Sequence, residues 1–342
     1  MANWTDLGSS GIAWEHPRPV DEQRAVQAAL THPGLLDTTL ARLIGNLARR
    51  SAIVHLNVRY LATGGAKRVY MVTAHPQTGE PYAFVLKQFC ATQLVHLPPG
   101  ASVRGAQANA ADLEARALEH MVWAAQRVDE TAPGLCPRFG GLWEWSDVQG
   151  QRCRVMTEAY IAGYSLERWK VLLEDAFIQG RLDFSQYSRQ RQTLERQAIA
   201  AYMRLWAALG RRTFTSDPSP WNVLLTPTKH GFQPSIIDLH SIHEGGSPLY
   251  VFQTLEELFG SRDEIRQEAL CPGILDALGR TEGVCFLDAV RCALVAQSDV
   301  RDRTGLSSYA GSIQAISHFL ESLPTHLPEV ASMPQRLPSG NR

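Results

Sequence analysis

The chain has 342 residues, about two domains' worth of material. With 44% hydrophobic and 20% charged residues it has the balance of a folded globular protein, not of a disordered or fibrous one. Thirty-three basic residues meet 34 acidic ones for a net charge of −1, so no global field draws the chain to nucleic acid or an anionic membrane surface. No apolar run approaches the roughly 20 residues that span a bilayer, so no membrane span is expected. Six cysteines (Cys90, Cys136, Cys153, Cys271, Cys285, Cys292) are scattered without paired spacing, and Met1–Leu7 has no secretory character. They read as buried thiols of a cytoplasmic protein, not as disulfides or zinc ligands.

Helices come first. Val20 to Thr31 is rich in Ala, Gln and Arg and is closed by His32-Pro33-Gly34. Asp37 is placed to cap a second helix, whose Leu40, Leu43, Ile44 and Leu47 form one stripe at helical spacing that needs a surface to pack on. From Ile53 the pattern turns to strands. Val58–Leu61 leads into the Gly64-Gly65 turn, Lys67–Thr73 resumes, and Ala74–Pro81 is a turn rich in Pro and Gly. Tyr82–Phe89 is apolar on both faces, as a central strand should be.

Ala110–Arg127 reads as a helix with Leu113, Ala117, Leu118 and Met121 on one side, and Pro137–Trp145 and Arg152–Ile161 as two further strands. Beyond Gly163 the chain is mostly helical, with a long helix from about Gln190 to Leu209 and a strand–loop–strand insertion between Thr213 and Ile242. The tail from Pro324 is polar and dotted with proline. The expected fold is α+β: a small five-stranded antiparallel sheet followed by a larger helical region.

The residues with most chemistry lie in Thr215-Ser-Asp-Pro-Ser-Pro-Trp-Asn-Val-Leu-Leu225 and Ser235-Ile-Ile-Asp-Leu-His240. A proline-rich loop carries Asp217 and Asn222, an apolar strand anchors it, and a partner strand ends in Asp238. Three oxygen donors thus converge at one end of a hairpin. That set suits Mg²⁺, which takes one or two carboxylates and leaves room for water and phosphate. An Asp not committed to metal can accept the proton of an attacking hydroxyl. Trp221 reads either as a lining of an acceptor pocket or as a loop anchor packed under the lobe. His240 and His243 read as a packing residue and a surface residue.

The spacing Asp-x-x-x-x-Asn, an apolar strand, a turn and Ile-Asp resembles the catalytic and metal-binding loops of the protein-kinase-like superfamily, nearest to its aminoglycoside phosphotransferase and choline kinase branch. Other segments follow in that family's order. Ala62–Val72, with Gly64 and Gly65, is similar to the phosphate-covering loop, and Thr78–Lys87 to the turn and strand bearing the nucleotide lysine. Leu113–Leu118 is similar to the helix supplying that lysine's acidic partner, and Met156–Leu166 to the hinge between lobes. The family's His and Gly before the catalytic Asp are here Thr215 and Ser216, and the aromatic after the metal Asp is Leu239.

The resemblance implies a two-lobe kinase-like fold: an N-terminal helical extension (1–52), a nucleotide-binding N-lobe (53–157), a helical C-lobe (158–325) and a loosely ordered tail (326–342). It implies an ATP- and Mg²⁺-dependent phosphotransferase moving the γ-phosphoryl group to a hydroxyl of a small molecule such as an antibiotic, sugar or amino alcohol. Asp217 would be the catalytic base, and Asn222 and Asp238 the metal ligands. Gly64, Gly65, Lys87, Glu114, Glu158 and Tyr160 would contact the nucleotide, with Glu114 the ion-pair partner of Lys87 and 158–161 offering backbone groups to adenine. The alternatives are a kinase of a protein or a lipopolysaccharide sugar, an AMP-transferring enzyme on the same fold, and a pseudokinase scaffold whose N-terminal extension binds a partner protein.

Overall fold

Six strands build the main sheet of the computed structural model, which describes residues 11–45, 52–63, 67–89, 118–146, 152–215, 218–229, 231–239, 242–259, 264–304 and 309–323. In chain order they are β1 (Ile12–Trp14), β2 (Ile53–Thr63), β3 (Lys67–Pro76), β4 (Tyr82–Phe89), β5 (Phe139–Ser146) and β6 (Arg152–Ala159), and their spatial order is β1-β2-β3-β4-β6-β5. The five expected strands are β2 to β6, and all pair antiparallel. The sheet is nevertheless mixed. Residues 12–14 add a short sixth strand parallel to β2, with Ile12 opposite Leu56.

Two helices cover one face of this sheet: α1 (Val20–Leu30) and α2 (Leu35–Ile44). Val26, Leu30, Leu35, Leu36 and Leu40 pack with Leu56, Val58, Tyr70, Val72, Phe84 and Leu86 into one hydrophobic core, and Leu43 and Ile44 lie against it. For Leu40, Leu43 and Ile44 the surface that the apolar stripe needs is thus the sheet itself, while Leu47 lies outside the described residues. Glu22 of α1 is buried in that layer, where it accepts hydrogen bonds from Arg18 at 2.9 and 3.1 Å and from the Tyr70 hydroxyl at 2.7 Å. A second pin joins the Thr39 and Thr157 hydroxyls at 2.9 Å. The cap of α2 is not Asp37, which sits in the first turn. Gly34 is the N-cap, at φ 78°, because the chain leaves the Pro33 turn in a left-handed conformation that favours glycine.

The second core centres on α5 (Phe184–Ala208), which begins six residues before the expected start because Asp183 and Gln186 form a capping box. Around it lie the helical residues 118–131 (α3), α4 (Leu166–Ile178), α6 (Pro248–Phe259), α7 (Glu264–Leu278), α8 (Arg280–Thr304) and α9 (Ala310–Ser322). α7 crosses α5 closely at Gly273, where a Cβ would lie 2.8 Å from Ile199 Cγ2 and 2.9 Å from the Arg196 carbonyl oxygen.

The expected insertion is four strands, not two. β9 (Val223–Thr228) and β10 (Gly231–Ile236) form a hairpin joined by the short β7 (Tyr164–Ser165), while β8 (Thr213–Thr215) pairs with β11 (Ile242–Glu244). Among the described residues no helix is long and apolar enough to cross a membrane.

Candidate functional site

Strand alternation and one hairpin end create the site. On β4, Phe84 and Leu86 point to the α1/α2 core, so Val85 and Lys87 point the other way. Lys87 stands opposite Val69 of β3 on one side and Met156 of β6 on the other. Lys67, two residues before Val69, and Glu158, two residues after Met156, therefore share its face as diagonal neighbours. Against this face the β9–β10 hairpin sets its end. Ile236 N–H donates to the Leu135 carbonyl at 2.8 Å, and Ile237 N–H donates to the Asn222 carbonyl at 2.9 Å. Asp238 follows at once.

Four buried charges meet there. Lys87 Nζ lies 2.6 Å from Glu158 Oε1 and donates to the Ile237 carbonyl, also at 2.6 Å. Lys67 Nζ lies 2.5 Å from Asp238 Oδ2. The four side chains are between 5% and 13% exposed. Two ammonium groups and two carboxylates alternate, so the cluster is locally neutral, the condition under which buried ions are tolerated. Burial pulls the Lys67 ammonium below its ordinary range, against the opposing attraction of Asp238. Burial likewise raises the Glu158 carboxyl, although the Lys87 charge resists it. Below Lys87 and Glu158 a narrow crevice is lined by Met121, Ala125, Cys136, Pro137, Phe139 and Ile236. Burial pushes the Cys136 thiol far up, so it is an inert wall of the crevice and not a nucleophile.

The loop before β9 is held from below. Tyr202 of α5, itself buried, donates its hydroxyl to the Ser219 carbonyl at 3.0 Å. Ser219 then starts a 3₁₀ turn over Pro220–Asn222, its side chain accepting from Trp221 N–H at 3.3 Å. Asn222 ends the turn half-buried, while Trp221 is 62% exposed. A loop anchor would be buried, so Trp221 is not one.

Of the sequence-predicted residues, the structure brings Lys87, Glu158 and Asp238 together, with Asn222 one strand away. Tyr160 is half-buried just past the end of β6, whose last ladder residue, Ala159, gives its N–H to the Arg138 carbonyl at 2.9 Å. Gly64, Gly65, Glu114, Asp217 and His240 lie outside the described residues, and so does the His243 side chain. Among the described residues the carboxylate on Lys87 is that of Glu158, the residue expected to serve adenine through its backbone. Glu119, the next acidic residue after Glu114 along the chain, lies on α3 and is exposed. Lys67 was not singled out as a site residue. The signal for both was an alternation argument: a charge inside an apolar strand needs an opposite charge one register step away on a neighbour.

The hairpin end carries two residues with oxygen-donor side chains, Asp238 and Asn222, brought together by the backbone bond from Ile237 N–H to the Asn222 carbonyl. Among the described residues no group of three or more His, Cys, Asp or Glu side chains could hold a metal on its own. The set fits Mg²⁺ held jointly with phosphate oxygens, as this ion prefers, and does not resemble a closed structural metal site.

No family model matches the chain, and no curated protein matches it by sequence. Among solved structures, one entitled "WaaP in complex with acyl carrier protein" aligns with 77% of this chain and 87% of that chain, at 15% identity and a TM-score of 0.40.

Proposed function

We propose that the chain is a phosphotransferase of the protein-kinase-like kind, moving the γ-phosphoryl group of ATP to a hydroxyl of a small-molecule acceptor. One observation carries the reading: the carboxylate ending the β9–β10 hairpin is pressed onto a sheet face bearing two buried lysines, one of them salt-bridged within the sheet. Phosphoryl transfer asks for this combination of fixed cations for the phosphates and an acidic metal ligand on a separate element.

In this reading Lys87 binds phosphate oxygens and Glu158 keeps its ammonium in place. Asn222 and Asp238 hold Mg²⁺, which neutralises phosphate charge when bound. Asp217 orients and deprotonates the acceptor hydroxyl. Gly64 and Gly65 cover the phosphates, and the segment around Tyr160, just beyond the sheet, takes the adenine. The first hydrophobic core supports an N-lobe built on β2–β4 and backed by the helices of the N-terminal extension, within the division at 157 that we propose, although residues of 118–136 and Met156 pack into the second core with the C-lobe residues of 158–325. Trp221, exposed beside Asn222, offers a flat apolar face to an acceptor with a ring, which favours a sugar-like or aminocyclitol-like molecule.

The test is Mg²⁺-dependent ATP turnover by the purified chain, with and without a pooled panel of hydroxyl-bearing metabolites and antibiotics. Acceptor-stimulated ADP release that disappears in Asp217→Ala is the expected result. Nucleotide binding without turnover would transfer weight to a scaffold, and a product heavier by AMP to nucleotidyl transfer. Absence of nucleotide binding would overturn the reading.

A further inference from the structure

Resting on that reading, we propose that Lys67 is an internal competitor for the metal at Asp238 and, once displaced, a second phosphate-binding ammonium beside Lys87. The argument starts from register. Lys67 opens β3 opposite Phe89, and Val69 stands opposite Lys87, so the two lysines project from the same face two residues apart. Lys87 is satisfied within its own sheet and hairpin, by Glu158 and the Ile237 carbonyl. The ion pair of Lys67 is instead with a carboxylate on another element, Asp238, which is the metal ligand in the reading above.

A buried ammonium at 2.5 Å from a carboxylate and a divalent cation on the same carboxylate repel each other. A divalent ion arriving alone must therefore push Lys67 away, leaving it beside Lys87 and the new charge with Glu158 as the remaining carboxylate of the cluster. A triphosphate arriving with the metal removes the conflict, because its oxygens give the released ammonium a new partner. Metal and nucleotide thus help each other to bind, and Lys67 is the residue that couples them.

The experiment uses the full chain and Mn²⁺ alone as the probe, titrated by electron paramagnetic resonance without nucleotide. Lys67→Met keeps the apolar stem and removes the charge. It is expected to bind Mn²⁺ on the order of tenfold tighter than the unsubstituted chain, the worth of one charge-assisted hydrogen bond. Damage to the fold would weaken binding instead. Lys67→Gln, which retains a hydrogen-bond donor and suits the buried site if the methionine variant fails to fold, is expected to tighten binding in the same direction. Lys67→Arg keeps the charge and is expected to leave the affinity near its starting value. The same Met variant should bind a non-hydrolysable ATP analogue several-fold more weakly. If Asp238→Asn abolishes Mn²⁺ binding but neither Lys67→Met nor Lys67→Gln tightens it, the competition is refuted while the metal assignment stands. If Asp238→Asn binds Mn²⁺ as well as the unsubstituted chain does, the metal assignment fails and the proposal falls with it.

Discussion

Glu158 and Lys87 should be energetically inseparable, and the size of the effect follows from their geometry. At 2.6 Å and an effective dielectric constant of about 20, the attraction between two unit charges is about 6 kcal/mol. Desolvating both ions takes back much of this, so the pair as a whole contributes little beyond two well-packed apolar side chains. Breaking it from one side is another matter. Glu158→Leu leaves the buried ammonium with, among the described residues, the Ile237 carbonyl alone, and Lys87→Met leaves a buried carboxylate. Each single substitution is expected to cost about 3–5 kcal/mol of unfolding free energy. The double variant should lose less than either, which gives a coupling of several kcal/mol in a double-mutant cycle. The assay is denaturant unfolding at neutral pH without nucleotide, followed by tryptophan fluorescence. Single-variant losses that add to within about 0.5 kcal/mol would refute the pairing.

The remaining predictions concern the far face of the sheet and the rim of the site. Burial alone would raise the Glu22 carboxyl, but hydrogen bonds from Arg18 and Tyr70 outweigh it and hold the group below the ordinary carboxylate range. Its folded pKa is depressed, so its contribution to stability is present above about pH 4.5 and is lost as pH falls through the folded value. Glu22→Gln should therefore cost about 1–3 kcal/mol at neutral pH, and the gap to the unsubstituted chain should close on acidification in a series of unfolding curves. Trp221→Ala, on an exposed ring, should leave unfolding within about 0.5 kcal/mol. It should raise the KM for the acceptor roughly tenfold, as expected for one lost aromatic face, while the KM for ATP stays in place in steady-state assays.

How much of this was legible in the sequence depended on how far each residue's partner lay along the chain. Tyr82–Phe89 was found to its last residue because its apolar run is continuous between turn signals. β1 was invisible because three residues carry no periodicity, and its pairing with β2 reaches across about forty residues. The start of α5 is encoded in Asp183 and Gln186, three apart, but its polar first turns carry no apolar stripe. The cap of α2 differs from the expected one for a local reason: Asp37 has the chemistry of an N-cap, yet the left-handed glycine after Pro33 fixes the first turn earlier. In the site, motif order singles out Lys87 and Asp238, two of the four charges that the structure brings together. The pairing of Lys87 with Glu158 is not legible there, because cross-strand register decides it, and register is set by bulges and turns that periodicity does not report. The pairing of β2 with β3 slips between Tyr60 and Ala62, and that of β5 with β6 between Phe139 and Gly141, next to the residues opposite Glu158 and Thr157.

That register ties the two faces of the sheet together. Along β6 the side chains alternate: Val155 and Thr157 turn to the α1/α2 layer, Met156 and Glu158 to the charged cluster. The Thr39 hydroxyl of α2 bonds Thr157, one residue from Glu158, so the docking of α2 holds the strand that holds the counter-charge of Lys87. A slip of β6 by one residue would exchange the faces, sending Glu158 into an apolar layer and Thr157 toward Lys87. Neither outcome is tolerable, since the first buries an unpaired carboxylate and the second leaves the ammonium without its ion pair. The N-terminal helices are thereby part of what keeps the site charge-balanced, although every residue of α1 and α2 lies on the opposite side of the sheet.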